Sequence, residues 1–361
     1  MNDNPYQRLA QRLDALPNGF PPTEDNAELR LLEKIFTPEQ AALAAQLRLT
    51  LETPEQLAER IGGDSQDLKK QLKGMVRRGL ISAGRGDGGV AYRLMPFVVG
   101  IYEYQIGRID GELAQLFEDY YQQAFKGMLS MEPSVHRVIP IGETVKMGME
   151  VRPFESATEI VNNANAWGVQ DCICRKQKAL IDDPCDHPVD NCMVFHPRPD
   201  AFENVPYIDS LTKDEAHAKL KEAAEAGLVH SVNNTKEGIY YICNCCTCSC
   251  GILRGMAEMG IANVVARSAF VNTVDEDLCE GCETCIEYCQ FDALSLADDA
   301  LLIEINQTSC VGCGVCVPAC PDEALVLVRR PEEDVLPIPV TEDDWREERA
   351  AARGLDMSVV L

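Results

Sequence analysis

The chain has 361 residues, a formal net charge of −25, 46% hydrophobic residues and 17 cysteines. That length suits two or three domains with real cores, and the charge opposes nucleic acid and anionic membranes while favouring basic or neutral partners. Met1 to Ala10 has no apolar signal core, and no stretch reaches the roughly 18 apolar residues of a span. A cytoplasmic protein without a membrane span is therefore expected, in which cysteines serve metals rather than disulfides.

Residues 1–26 are polar, end after Pro21-Pro22 and read as an N-terminal arm. Thr53-Pro54-Glu55-Gln56 is a capped helix start, with proline in the first turn and glutamine at the capping-box position. The helix it opens runs to Ile61 and stops at Gly62-Gly63. Asp64 or Ser65 caps the next helix, Gln66 to Arg78, whose apolar residues recur at Leu68, Leu72 and Met75-Val76. Gly79-Leu80-Ile81 leads into a strand, 85–89 turns, and Val90 to Leu94 returns. This order of pieces resembles a winged helix-turn-helix, and 27–100 is read as a winged-helix-like domain. Its second helix carries Lys69, Lys70, Lys73, Arg77 and Arg78, and its turn Arg85. Residues 50–95 nevertheless hold eight basic and six acidic groups. That balance disfavours a DNA-reading face, and DNA is not the expected partner.

Residues 101–160 form a helical and extended connector. Within it, 108–132 is an amphipathic helix with Ile109, Leu113, Leu116, Phe117, Tyr120 and Phe125 on one side. Val135 to Val151 reads as extended. A short helix at 157–166 delivers the chain to a cysteine-rich domain at 161–270. There Lys213 to Gly227 is helical, capped by Thr212 with Glu215 at the capping-box position (Ser210 is the weaker cap), and Gly227 suits the left-handed end.

Nine cysteines lie in 172–250: Cys172, Cys174, Cys185 and Cys192, then Cys243, Cys245, Cys246, Cys248 and Cys250. A buried core has no use for five thiols in eight residues, so a metal site is expected. The segment resembles the cysteine-rich region beside two-cluster ferredoxin domains in some anaerobic iron–sulfur proteins, where C-x-C-R precedes a distant C-N-C-C-x-C. The resemblance implies at least one further [4Fe–4S] cluster, with thiols enough for two. Cys174, Cys185, Cys192 and Cys246 are the expected ligands of that third cluster, Cys172 and Cys245 the substitutes, and Cys243, Cys248 and Cys250 further candidates. Zinc is the alternative, because close cysteine pairs also suit tetrahedral coordination. His187 and His196 stand near Cys185 and Cys192 and read as neighbours of the site rather than ligands. His230 reads as packing at a helix end. Arg175, beside Cys174, is a candidate counter-charge.

Cys279, Cys282, Cys285 and Cys289, then Cys310, Cys313, Cys316 and Cys320, twice repeat C-x2-C-x2-C-x3-C. This spacing wraps three thiolates around one iron–sulfur cube and sends the fourth to a neighbouring one, so at least two [4Fe–4S] clusters are expected. Zinc sites more often separate two pairs by a longer gap. An internal repeat covers 279–327, with Ala293-Leu294 answering Ala324-Leu325. The segment 271–330 resembles bacterial two-[4Fe–4S] ferredoxins. The resemblance implies crossed ligation: Cys279, Cys282, Cys285 and Cys320 on one cube, and Cys310, Cys313, Cys316 and Cys289 on the other. The proline that usually follows the fourth cysteine is present as Pro321, whereas Gln290 replaces the first one. After Arg330, residues 331–361 carry nine acids against three arginines and read as an extended acidic tail.

The fold class expected is α+β multidomain: a winged-helix-like N-terminal domain, a cysteine-rich middle domain and a ferredoxin-like C-terminal domain. A P-loop, a dinucleotide fingerprint, the radical C-x3-C-x2-C and a catalytic triad are all absent from the sequence. The expected function is single-electron relay between redox protein partners, as a carrier or as a subunit of an anaerobic oxidoreductase complex rather than a stand-alone enzyme. A redox-sensing winged-helix regulator and an oxidoreductase with a catalytic cluster in 172–250 are the alternatives.

Overall fold

The computed structural model describes residues 4–261, 263–297 and 301–361. Two compact units divide the chain. The first contains residues up to 131, 180–182 and 346–361; the second contains 132–179 and 183–345.

The first unit is mostly helical. It contains α1 (Pro5–Asp14), α2 (Ala27–Ile35), α3 (Pro38–Ala44), α4 (Pro54–Ile61), α5 (Ser65–Arg77), a hairpin of β1 (Ser82–Gly86) and β2 (Gly89–Arg93), and the long α6 (Gly111–Leu129). The capping box before α4 satisfies two free N–H groups reciprocally. Thr53 Oγ1 accepts from Gln56 N–H at 3.3 Å, and Gln56 Oε1 accepts from Thr53 N–H at 2.8 Å. Asp64, rather than Ser65, caps α5. The apolar side of α6 closes an aromatic core of stacked and tilted rings. Within it Phe117 stacks on Tyr102 at 3.7 Å between ring centroids, and Tyr120 meets Phe20 at 4.8 Å.

Two expectations are corrected here. Where a polar arm is expected, α1 buries Leu9, Ala10 and Leu13, and Leu16 and Phe20 follow into the core. Its polar residues fill the exposed faces between those apolar positions. Residues 1–3 of the expected arm lie outside the described residues. Where an extended tail is expected, 342–353 is helical. Its charge sits on the outer face, while Arg349 is 1% exposed and donates to the carbonyls of Pro17, Met131 and Met128 at 3.1, 2.8 and 2.7 Å.

The second unit is built on a six-stranded antiparallel sheet. Its strands are β3 (His136–Val138), β4 (Ala166–Gln170), β5 (Cys192–His196), β6 (Asp209–Leu211), β7 (Val229–Asn233) and β8 (Tyr241–Cys245), in the order β3-β7-β8-β5-β4-β6. Only 136–138 of the stretch expected to be extended at 135–151 joins a strand. Helices α7 (Ala157–Asn163) and α9 (Lys213–Glu225) contribute Ile160, Val161, Ala216 and Leu220 to a core with Met193, Phe195 and Ile242. Thr212 and Glu215 close the expected capping box on α9, and Gly227 adopts φ +74°. Helix α8 (Ile173–Leu180) sits between β4 and β5, and α10 (Arg254–Met259) follows the dense cysteine run.

The internal repeat is reproduced in the backbone. Strand β9 (Phe270–Val274), helix α11 (Thr284–Tyr288) and β10 (Leu294–Leu296) precede β11 (Ile303–Ile305) and β12 (Leu325–Arg329). β10 pairs with β11 and β12 with β9, both antiparallel. Asn306 N–H donates to Ala293 O, and at the equivalent position Asp275 N–H donates to Ala324 O, both at 2.8 Å. A mixed α/β protein with several small sheets results.

Candidate metal centres

Each cysteine loop of the repeat turns at a glycine with left-handed φ, Gly281 at +66° and Gly312 at +70°. A Cβ on Gly281 would lie 2.7 Å from Leu301 O, and one on Gly312 would lie 2.0 Å from Phe270 O. Only glycine gives both that conformation and that approach. The turns gather the thiols into two sets. Cys279, Cys282, Cys285 and Cys320 line one cavity together with Ile303, Ala324 and Leu325. Burial pushes the Cys285 thiol up to about 11, with Cys320, Cys282 and Cys279 adding to the effect. In the other set, burial raises Cys313 to about 12 and holds Cys316 well above its ordinary value, and Cys289 and Cys310 add in both cases. Both fourth sulfurs accept from the repeat's alanine: Ala293 N–H to Cys289 Sγ and Ala324 N–H to Cys320 Sγ, each at 3.3 Å. Asn272 Nδ2 donates to Cys316 Sγ at 3.1 Å.

These sets fit an iron–sulfur group. Four thiols crowded in an apolar setting resist ionisation unless a cationic centre compensates them. The surrounding N–H donors suit sulfur carrying negative charge.

The second field follows from strand alternation. Met193 and Ile242 pair across β5 and β8 and face the helices, so Cys192, Cys243 and Cys245 fall on the opposite face. The neighbouring thiols of Cys192 and Cys245 hold the Cys243 thiol well above its ordinary pKa. Cys174 likewise raises the Cys172 thiol, and Cys174 and Cys245 both act on the Cys250 thiol. A separate group is Cys185, His187, Cys246 and Cys248, whose ligand atoms all lie within 4.8 Å of one another. Cys185 and Cys246 sulfurs are 3.9 Å apart, and Cys248 Sγ is 3.6 Å from His187 Nδ1.

The four ligands expected for a third cluster are thus divided. Cys185 and Cys246 sit in the tight group, and Cys174 and Cys192 sit in the sheet-face group. The sequence carries the signal that separates them, since Cys245 and Cys246 are consecutive and must diverge where β8 ends. His187 lies among the tight group's sulfurs. His196 instead accepts from Arg198 N–H at 3.0 Å and meets Phe202 edge-on. His230 is buried and bonds Asn244 Oδ1 through Nδ1 at 2.6 Å.

Arg175 is 3% exposed, so the counter-charge is internal. It donates to Asn191 Oδ1 at 2.8 Å and Asn244 O at 2.9 Å. Desolvation works against its cation, yet Cys172, Cys246 and Cys245 hold its pKa above the ordinary arginine value. A hydrogen bond from Cys248 lowers the Cys246 thiol, and His187 and Arg175 assist.

Gln290, where the ferredoxin pattern usually has proline, joins the two fields. Its Oε1 accepts from Thr247 N–H at 2.7 Å, and its Nε2 donates to Gly227 O. Thr247 stands between Cys246 and Cys248, and Gln290 follows Cys289.

A family model described as a 4Fe-4S dicluster domain matches residues 278–325. The chain is cysteine-rich, and the matched domain supports at least one [4Fe–4S] cluster. No curated protein and no solved structure matches it. Among the described residues, no helix is long and apolar enough to cross a membrane.

Proposed function

We propose that this protein relays single electrons between redox protein partners, as a carrier or as a subunit of an anaerobic oxidoreductase complex. The observation that carries the reading is the gathering of Cys279, Cys282, Cys285 and Cys320 round one cavity, within the stretch that the dicluster model matches. Cys279, Cys282, Cys285 and Cys320 would hold one [4Fe–4S] cluster, and Cys289, Cys310, Cys313 and Cys316 the other. Cys172, Cys174, Cys245 and Cys250 would hold a third, with Cys192 and Cys243 beside them. When bound, such clusters supply one-electron oxidation and reduction. The chain's own residues do the rest. Ile303 and Leu325 line the first tetrad's cavity, Asn272 and the two alanines donate to sulfur, and Arg175 offsets the thiolates of the middle field.

Residues 27–100 are read as a winged-helix module that docks protein rather than DNA. Arg78 is engaged by Ile35 O and Gln40 Oε1 at 2.9 and 3.1 Å, leaving Lys70, Lys73 and Arg77 as the exposed bases of α5. A cytoplasmic location accords with this reading.

Anaerobic isolation with iron and acid-labile sulfide counting tests the proposal. About eight irons per chain are expected for the two repeat tetrads and about twelve with the third site, with EPR signals on reduction. Fewer than about eight irons defeats the two-cluster minimum. Salt-sensitive, sequence-specific DNA binding that changes on oxidation favours the regulator instead.

A further inference from the structure

We infer that Cys185, His187, Cys246 and Cys248 form a mononuclear, four-coordinate zinc site, distinct from every iron–sulfur cluster of the chain. Spacing carries the inference. Four ligands on one ion, at Zn–S of about 2.3 Å and Zn–N of about 2.0–2.1 Å, stand about 3.6–3.8 Å apart on the edges of a tetrahedron. The structure has 3.9 Å between the Cys185 and Cys246 sulfurs and 3.6 Å from Cys248 Sγ to His187 Nδ1. A cube anchors each thiolate on a different iron and so needs a wider set. Among the described residues, this is the only group of such ligand atoms packed within 4.8 Å of one another. The two repeat tetrads, which follow the cluster spacing, are more open, and so is the sheet-face group.

The donor set agrees with the distances. Three thiolates and one neutral imidazole are a recurrent structural zinc combination. Here both pairs are separated by a single residue, Cys185-Asp186-His187 and Cys246-Thr247-Cys248, so two short turns face each other across the ion. Three thiolates leave the site one negative charge in excess, which the buried Arg175 beside Cys246 offsets. Ser249 Oγ donates to Cys185 Sγ at 3.3 Å, and such a donor steadies a ligating sulfur. Because Thr247 binds Gln290, an ion here pins the middle field against the loop that carries Cys289.

The site stands or falls separately from the electron-relay reading, because zinc and iron are counted in the same sample. Protein isolated anaerobically from zinc-replete cells is expected to hold about one zinc per chain. Zinc-edge X-ray absorption of the unmodified protein should give a first shell of three sulfurs and one nitrogen. Cys248→Ser, at an exposed position, and His187→Ala should each lose the zinc while iron and sulfide stay unchanged. A preparation with full iron and no zinc overturns the site, as does a zinc shell without sulfur. Loss of iron and sulfide from the Cys248→Ser protein, with no zinc present in the parent, assigns the group to a cluster and overturns it too.

Discussion

Asn272 is 2% exposed and gives its amide N–H to Cys316 Sγ at 3.1 Å. A donor aimed at a thiolate favours the reduced, more negative form of any cluster held there. Replacing it by leucine removes the donor while keeping the volume. Asn272→Leu should lower the reduction potential of one centre by about 20–65 mV, the one-electron equivalent of a 0.5–1.5 kcal/mol hydrogen bond. EPR-monitored redox titration reads this directly. An unchanged potential, or a uniform shift of all centres, would remove the hydrogen bond from the account. Gln290 belongs to the same scale. The sequence marks it as a departure from the expected proline, but which groups it binds depends on Thr247 and Gly227, both remote from it along the chain.

The repeat shows how short elements are set by local chemistry. Gly281 and Gly312 occupy equivalent turns, and the glycine-only conformation is legible as C-x-G-C in both loops. The closeness of Phe270 O to Gly312 is a property of the fold. Gly312→Ala places a methyl where no atom fits, so the loop must open. The expected result is loss of roughly half the repeat's iron, about four of eight atoms, with the other tetrad retained. Equal loss from both tetrads would show that the two loops form as one unit. On α9, Thr212→Ala deletes the capping box and should cost about 1 kcal/mol of stability, seen as a lower thermal midpoint at unchanged metal content.

Over the whole chain, buried charges and neutral histidines set the response to pH and truncation. His136 is 2% exposed, between Ser231 Oγ at 3.2 Å and the Tyr241 hydroxyl at 2.8 Å. Burial lowers its pKa from 6.5 to about 4. The unfolded chain therefore binds the extra proton first as pH falls. The stability from keeping His136 neutral is complete above about pH 6.5 and is lost progressively toward about pH 4, on the order of 3 kcal/mol. Anaerobic thermal unfolding between those limits should be less pH-dependent in His136→Gln; an identical slope would acquit this residue. Arg349, bonded to three carbonyls in the first unit, binds 346–361 to that unit's core. Arg349→Ala should destabilise it by roughly 2–4 kcal/mol through lost charged hydrogen bonds, and limited proteolysis should then cut within 342–361. A tail as resistant as in the parent would contradict this.

The internal cysteine repeat and the capped helices were readable in the residues, because each depends on neighbours a few positions apart. The helices at 5–14 and 342–353 escaped a reading based on polarity, since one buried face suffices to hold a helix whose remaining residues are charged. The partition of the nine middle cysteines was beyond spacing altogether. Strand register sends Cys243 and Cys245 to one face of the sheet, and the end of β8 turns Cys246 and Cys248 toward Cys185 and His187, which lie far back in the sequence. Ligand identity is local chemistry, but which ligands share an ion is a question of distance, and distance is decided by the packed chain.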